Sequence, residues 1–518
     1  MSCIVFGESD AAGVALFVSR LLREVPEARL KGIIFRQPAS SRSSPDHFGP
    51  GTISIGDHLL SWLHGCPLDT TNAAALDGSD PSEWTQRFGC QVQVIRDWNA
   101  KEAIDLVRTL SPVLGIYVGT AVDRTGALAM PHHGVLHTQI WESVGDSTPG
   151  RGLTEPQAKE RHLNIGVFRE AIATRKSGPL ACESLTLGPY ETQTGLCLKV
   201  DLLRRDLLIR ALSKIRLGTT DERLTDPPEL VTEEAARIAK SIPGLPASTY
   251  RVQRGRPTWK LLLRTLLLAP YVVARNWIRR ARGRFPVIVL YHHLVADRPS
   301  HIGIPTEEFW KHARFLRRHY DVVSLTEAIE MLRSGRVSRP TIVLTFDDGY
   351  RDNFVNLRAI TERLQLPAVL FISTEHISNG KEFEHDVKRN QRGFLPLSWE
   401  QVIYLSKYGY EFGSHTRTHF DCGSTDLERL KYEISGSKQD LEARLGFEPQ
   451  FFSFPWGRPE NMSADAVKLA EATFTHYFSA HDGANFPARS GEFRHLLRPA
   501  HGNDLWELEL TLQSILDF

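Results

Sequence analysis

The chain contains two stretches in which short apolar runs alternate with amphipathic helical segments. In residues 1–215 the runs CIVFG, LKGIIF, CQVQVI and LGIYVG are separated by helical patterns such as NAKEAIDLVRTL. From residue 285 the same rhythm returns, with PVIVLYHH, TIVLTF, PAVLFIS and FEPQFFSFP as apolar runs. Apolar runs between helices are typical of parallel strands that helices cover. The pattern predicts an α/β fold, with one domain at 1–215 and another at 285–518.

The stretch between them, residues 216–284, has a different composition. Ten Lys or Arg residues and no acid lie between Arg251 and Arg284, and leucines cluster at 261–268. Pro270 should kink a helix here. Such a segment can lie in the surface of an anionic membrane, with leucines inward and arginines toward the headgroups. The alternative is a helix whose leucine face docks on one of the domains.

The overall composition narrows the possible partners and the compartment. The chain has 518 residues, 41% of them hydrophobic, and a net charge of +1, which argues against a nucleic-acid binder acting through bulk charge. Six cysteines show no C-x-x-C spacing and are expected to be reduced thiols. The opening MSCIVFGESDAAG has no signal-peptide pattern, so we expect a cytoplasmic location.

Two adjacent acids, Asp347 and Asp348, end the apolar run TIVLTF. A buried carboxylate is tolerated only when it is paired, hydrogen-bonded or bound to a metal. About sixty residues later His415 and His419 follow each other in the pattern H-x-x-x-H. On an extended strand these histidines would lie about 13 Å apart. They can therefore share one ion only if the chain turns after His415.

One carboxylate and two imidazoles make a metal site with open positions for water and substrate. Asp348, His415 and His419 are the expected ligands of a divalent metal, with zinc as the expected ion. Asp347 then remains free to accept a proton as the general base. Gly349 gives the backbone the freedom to turn both acids toward one site.

The motifs VLYHHL, TFDDGY, FGSHTRTH and FFSFPWG occur in the order that is typical of the polysaccharide deacetylase (NodB-homology) family. The resemblance covers about residues 285–518. It implies an irregular (β/α) barrel and a metal-dependent removal of N- or O-acyl groups from sugars. It also implies the same roles for Asp347 as base and for Asp348, His415 and His419 as ligands. His292, in the first motif, is expected to be a buried structural residue.

The third motif resembles the part of the family that lines the substrate groove. Trp456 is expected to stack on a sugar ring, with Pro455 helping to fix its loop; core packing is the alternative. Many family members carry an arginine where this chain has Ser453, so the arginine that orients the base is absent there. For the general acid the resemblance implies a late histidine. Of His481, His495 and His501, we favour His501 because it follows an apolar run.

The front stretch is similar to the formyltransferase family, which uses a formyl-folate donor on a Rossmann-like domain. The similarity rests on a long segment from FGCQVQVI to HGVLHTQ and on YETQTGLCLKVDLLRRDLLIRALSKI. The family pattern G-x-x-N-x-H corresponds here to Gly134 to Gln139, with His137 in place of the asparagine and Gln139 in place of the histidine. Asp146 is the nearest acid. We expect a degenerate domain that binds a sugar nucleotide or only packs, without formyl-folate.

Together these patterns predict a metal-dependent carbohydrate N-deacylase joined to a degenerate formyltransferase-like domain. The substrate would be a carbohydrate or a lipid-linked glycan, and the group removed would be acetyl or formyl. The alternative is a non-catalytic glycan-binding or scaffold protein built on the same two folds.

Overall fold

The computed structural model describes residues 1–8, 10–37, 80–119, 126–144, 161–170, 179–217, 258–487 and 493–513. The chain divides into two compact units. Described residues up to 217 belong to the first unit and those from 258 onward belong to the second. The domain boundaries expected at 215 and 284 remain predictions.

The first unit is built on one seven-stranded sheet in the order β3-β2-β1-β4-β5-β6-β7. Strands β1 to β5 pair in parallel, whereas β6 and β7 are antiparallel additions. This arrangement confirms the predicted Rossmann-like α/β fold. The strands are β1 (Ser2–Glu8), β2 (Arg29–Arg36), β3 (Gln91–Ile95), β4 (Leu114–Val118), β5 (Val135–Val144), β6 (Arg161–Glu170) and β7 (Ala181–Thr186).

Helices cover this sheet because its central strands are apolar on both faces. The five middle residues of β1 are buried, as expected for a strand inside a covered parallel sheet. One side of the core packs Ile4 and Phe6 against Trp98 and Val107. The helices of this unit are α1 (Ala11–Glu24), α2 (Trp84–Phe88), α3 (Lys101–Leu110) and α4 (Gln193–Leu217).

The second unit is a nearly closed barrel in which the strands pair in parallel. The path runs from β8 through β12, β13, β14, β15 and β16 to β17, with β11 also on β12. The strands are β8 (Val287–His292), β9 (Leu294–Val295), β10 (Gly303–Ile304), β11 (Asp321–Val322), β12 (Thr341–Phe346), β13 (Val369–Ile372), β14 (Glu411–Ser414), β15 (Phe451–Ser453), β16 (His476–Phe478) and β17 (His495–Leu496).

Asn485 fills the gap between the first and last barrel strands. Its backbone exchanges hydrogen bonds with Val287, and its side-chain amide donates to the carbonyls of Val287 and Leu497. The side-chain oxygen accepts from the amide of Leu497. One residue thus joins β8 to the end of β17, and the expected irregular (β/α) barrel is confirmed.

The helices of this unit follow the strands and carry ordinary capping signals. For example, Ser398 and Gln401 form a reciprocal capping box at the start of one helix. The helices are α5 (Thr258–Arg282), α6 (Thr306–His319), α7 (Leu325–Arg333), α8 (Asn356–Leu364), α9 (Thr374–Asn379), α10 (Glu384–Val387), α11 (Trp399–Lys407), α12 (Leu427–Leu445), α13 (Ala464–Thr473) and α14 (Leu505–Leu512).

Helix α5 contains the basic, leucine-rich sequence and continues through Pro270. One of its faces docks on α14, where Val272 packs against Leu510 and Asn276 donates to the side chain of Gln513 at 3.0 Å. The opposite face is a stripe of exposed apolar side chains at helical spacing: Leu263, Leu266, Leu267, Tyr271, Trp277 and Ile278. Among the described helices, none combines the length and apolar character needed to cross a bilayer.

Candidate metal and catalytic site

The predicted site residues meet at one end of the barrel because parallel strands end on the same side. Asp347 and Asp348 follow β12 directly, and His415 follows β14 directly. His419 lies four residues after His415, in the loop that follows β14. This is the end at which open and closed α/β sheets bind their ligands. A cavity of about 440 Å³ opens there and is lined by all four side chains.

Left-handed backbone conformations turn these side chains toward one another. Asp348 has a φ of 69° and Gly349 has a φ of 87°. A Cβ added at Gly349 would lie 2.8 Å from a methyl carbon of Ile372, so both space and conformation require glycine. In the second loop Thr416 and His419 have φ values of 63° and 54°. The chain therefore turns after His415, as the spacing of the histidines required.

Asp348 and the two histidines form a compact set of potential metal ligands. The Nε2 atoms of His415 and His419 lie 3.4 and 3.2 Å from Oδ1 of Asp348. Three donors bound to one zinc at about 2.0–2.1 Å would have separations of this size. The Nδ1 of His415 lies 2.8 Å from the Ser453 carbonyl, which can accept its proton and leave Nε2 for a metal.

The chemistry of this set fits a divalent metal. Asp348 is 0% exposed, and within the described part of the chain neither carboxylate oxygen has a hydrogen-bond partner. Burial opposes its charge, but His419, His293 and His385 together outweigh that cost and hold the pKa of Asp348 well below its usual value. A buried carboxylate that stays ionised with free oxygens needs a cation.

Asp347 has a different cationic partner, the guanidinium of Arg498. Two parallel hydrogen bonds of 2.7 and 2.8 Å join them in a buried, bidentate pair. Burial opposes the charge on Asp347, but Arg498 and His415 outweigh it and lower the pKa of the carboxyl. Asp347 is therefore held ionised and oriented beside the ligand set.

The arginine that seemed to be absent at Ser453 is supplied from another strand. Arg498 lies just beyond β17, and one of its amino groups donates to the Ser453 hydroxyl at 2.7 Å. The expectation that the base has no orienting arginine is therefore corrected. The signal in the sequence is the arginine that follows a late apolar run in RHLLRPAHG, three residues before His501.

The FFSFPWG loop brings Trp456, but not Pro455, to the cavity. Trp456 lines the mouth with 47% of its surface exposed, and its ring stands edge-on to His419 at 4.5 Å between centroids. Pro455 is buried below it, and its carbonyl accepts from Gly457 at 2.7 Å. Pro455 thus supports the loop but does not line the cavity.

The late histidines lie away from the cavity. Both ring nitrogens of His501 face backbone carbonyls, Nε2 that of Tyr291 and Nδ1 that of Gly502, and neither His495 nor His481 lines the cavity. The geometry thus gives no support to His501 as the acid. His292 is buried between Phe346 and Phe309, as expected for a structural residue. The cavity is instead lined by His293, His301 and His385, which the sequence analysis did not single out.

In the first unit His137 lies on β5, where it is 3% exposed and faces Phe168. Gln139 is two residues further along the same strand and is partly buried. Asp146 lies outside the described residues. The degenerate formyltransferase-like assignment therefore remains a prediction.

Comparison with known proteins identifies the family of the second unit. Residues 334–475 match the polysaccharide deacetylase family. YxkH of Bacillus subtilis (strain 168), which is named for the same family, is 25% identical over 199 residues. That alignment covers 38% of this chain and 64% of YxkH. The C-terminal part of the chain thus contains a polysaccharide deacetylase domain, as its motifs indicated.

Three solved structures are similar to parts of the chain. IcaB from Ammonifex degensii is 20% identical, covers 44% of this chain and 97% of its own, and has a TM-score of 0.37. The Streptococcus pyogenes deacetylase PplD is 16% identical, with coverages of 44% and 98% and a TM-score of 0.37. Glycinamide ribonucleotide transformylase 1 from Symbiobacterium toebii is 11% identical, with coverages of 44% and 91% and a TM-score of 0.26. Likenesses of this size carry no conclusion about chemistry.

The ion pair between Asp347 and Arg498 predicts a pH-dependent stability defect. In Arg498→Met the carboxyl stays buried without its countercharge, so its pKa should rise above the usual value. Breaking a buried pair typically costs about 3–5 kcal/mol while the remaining group is charged. Because the pKa is raised, the loss of folding stability is large at pH 7 and becomes smaller as the carboxyl is protonated toward pH 4.

Urea unfolding of the full chain at both pH values measures this effect. Arg494→Met is the matched control, because Arg494 is exposed and its guanidinium donates to the Glu471 carbonyl. It should change stability little at either pH. An Arg498→Met defect of the same size at pH 4 and pH 7 would contradict the proposed ion pair.

Proposed function

We propose that the second unit is a metal-dependent hydrolase that removes an N-acyl group from a carbohydrate. The observation that carries this proposal is that the two adjacent acids have different neighbours. One is paired with Arg498 beside the cavity, and the other faces two imidazoles with free oxygens. The match to the polysaccharide deacetylase family supports the same reaction class.

Asp348, His415 and His419 would hold the metal, with zinc as the expected ion. A metal bound there would act as a Lewis acid on the acyl carbonyl and lower the pKa of water. The carbonyl of Ser453 keeps the His415 ring in the tautomer that leaves Nε2 free. Burial of Asp348 excludes competing water from one side of the set.

Asp347 would take the proton from the attacking water. Arg498 occupies both oxygens of this carboxylate and keeps it ionised, so it accepts the proton through a remaining lone pair. Trp456 at the cavity mouth offers a flat apolar face on which a sugar ring can stack.

We assign the proton donor for the departing amine to His293 rather than to His501. His293 lines the cavity and is close enough to both acids to lower their pKa. His501 is held between two backbone carbonyls outside the cavity lining.

The group removed would be acetyl or formyl. The Rossmann-like first unit motivates formyl, and the family match motivates acetyl. A non-catalytic glycan-binding or scaffold role is the alternative, and it predicts sugar binding without amine release.

The roles of the acids and the ligands predict a separation of metal binding from turnover. Asp347→Asn should keep its metal and lose about 10²–10⁴-fold in kcat, because the proton acceptor is removed. His415→Ala should lose both metal and activity. Amine, acetate and formate release from matched N-acetyl and N-formyl sugars, with metal analysis, measures both effects.

In this experiment His376→Ala serves as the control, because His376 lies outside the ligand set and bonds the Lys381 carbonyl. The proposal fails if the wild-type chain releases no amine from any sugar of the panel. It also fails if His415→Ala keeps its full metal content.

The assignment of the acid predicts opposite results for two histidine variants. His293→Gln should lower kcat by about 10²-fold or more with metal content unchanged. His501→Gln should leave kcat within a few-fold of the wild type, and its main effect should be on thermal stability. Steady-state kinetics on the best substrate decides between them. A large kcat loss in His501→Gln alone would return the acid role to that residue.

We also propose that α5 contacts an anionic membrane and that the substrate is a lipid-linked glycan on the cytoplasmic side. Docking on α14 uses only one face of the helix and leaves the apolar stripe from Leu263 to Ile278 exposed. Lys260, Arg280 and Arg282 are exposed on the same helix, which contains no acid. An apolar face with flanking arginines is suited to the headgroup region.

The direction of α5 supports a link between the membrane and the cavity. Val272 meets Leu510 and Asn276 meets Gln513, so α5 and α14 run in the same direction. Helix α14 begins shortly after His501, which bonds the Tyr291 carbonyl near the end of β8. The exposed leucines at the start of α5 therefore lie toward the barrel end that carries the site.

Vesicle binding tests this proposal. The wild-type chain should sediment with vesicles that contain anionic lipid and should be released by salt. The double variant Leu266→Glu and Leu267→Glu should lose about ten-fold or more in vesicle affinity. Phe447→Glu is the matched control, because Phe447 is also exposed but lies beyond α12. Equal binding of all three proteins would contradict the membrane contact.

A further inference from the structure

A second group of potential metal ligands lies beside the first, and its two histidines line the same cavity. It consists of His301, His385 and Asp386, whose ligand atoms all lie within 4.8 Å of one another. The Nδ1 of His301 is 3.5 Å from Oδ1 of Asp386, and the Nε2 of His385 is 3.8 Å from Oδ2 of the same carboxylate. Two imidazoles and one carboxylate repeat the donor chemistry of the Asp348 set.

Asp386 has a buried carboxylate oxygen that is suited to binding a cation. The residue is 1% exposed, and its Oδ2 accepts a hydrogen bond of 2.7 Å from the Tyr350 hydroxyl. Its Oδ1 is buried without a hydrogen-bond partner in the described part of the chain. This free oxygen is the one that faces His301. A buried carboxylate oxygen in this state is stabilised by a cation.

The two histidines of the group are held close to it by other contacts. His301 Nδ1–H donates to the side-chain oxygen of Gln391 at 2.8 Å. A metal bound at Nδ1 would replace this proton and would meet that oxygen as a further ligand. The Nε2 of His385 lies 2.8 Å from the Tyr350 hydroxyl. That hydroxyl has one proton, which it donates to Asp386. The hydroxyl oxygen therefore accepts from Nε2–H of His385, and a metal bound at Nε2 would replace this proton.

The two groups are connected through the carboxylate of Asp348. Its Oδ1 faces His415 and His419, whereas its Oδ2 lies 3.8 Å from Nε2 of His385. Neither oxygen has a hydrogen-bond partner among the described residues. A carboxylate with one free oxygen toward each group can bridge two ions, and ions in two-metal sites lie about 3.5–4 Å apart.

We propose that His301, His385 and Asp386 form a second divalent-metal site, next to the first, with Asp348 shared between the two ions. The proposal rests on the proposed function only in taking Asp348 as a ligand of the first metal. The donor set of imidazole nitrogen and carboxylate oxygen suits zinc or a similar borderline ion. A second ion in this place would bind another oxygen of the carbohydrate substrate, such as a hydroxyl or an anionic substituent.

Metal stoichiometry of the full chain with Zn²⁺ tests the proposal. After loading and dialysis, the wild type should retain two Zn²⁺ per chain, and His301→Ala should retain one. Asp386→Asn should also retain one, so the conclusion does not depend on a single variant. His376→Ala is the matched control, because His376 stacks on Phe383 near the group but has no ligand role, and it should retain two.

Cd²⁺ substitution gives a readout that is independent of activity. With ¹¹³Cd the wild type should give two resonances, and His301→Ala should lose one and keep the other. If the wild type binds one Zn²⁺ and gives one resonance, the second site is overturned. If His415→Ala then loses that one ion, the first site stands. Two retained ions in both His301→Ala and Asp386→Asn would also overturn it. No bound metal in the wild type would reject both sites.

Discussion

The site depends on one constraint, namely that two adjacent buried acids must each find a different cation. Arg498 donates a hydrogen bond to each oxygen of Asp347, so a fixed side chain balances the charge of this carboxylate. Asp348 has no such partner and turns its free oxygens toward imidazoles. The different roles proposed for the two acids, oriented base and metal ligand, thus follow from which neighbour supplies the positive charge.

This separation requires contacts between parts of the chain that are far apart in sequence. Arg498 and Asp347 are 151 residues apart, and they meet because β12 and β17 end on the same side of a nearly closed barrel. Asn485 ties the end of β17 to β8 and so fixes the direction from which the arginine enters. The left-handed conformations of Asp348 and His419 have a cost in backbone energy that this surrounding packing must offset.

The sequence predicted the local elements and motifs well, because strand period, turn residues and ligand spacing are local signals. It allowed Asp348, His415 and His419 to be grouped, and the structure brings them together. It did not reveal Arg498, since the partner of Asp347 is determined by barrel closure rather than by spacing. His501 does not line the cavity, because β17 is only two residues long and the chain beyond it folds back to the Tyr291 carbonyl.

Docking on a domain and contact with a membrane surface can both apply to the basic helix, because α5 has two apolar faces. Val272 and its neighbours are used for docking, whereas Leu266, Leu267 and Trp277 remain exposed. Docking fixes the orientation of the helix on the barrel and thereby determines which side chains face outward. An apolar stripe held rigidly in this way loses little side-chain entropy when it enters a membrane surface, compared with a free amphipathic segment that must first fold. The contact with α14 is therefore compatible with the proposed membrane contact and does not compete with it.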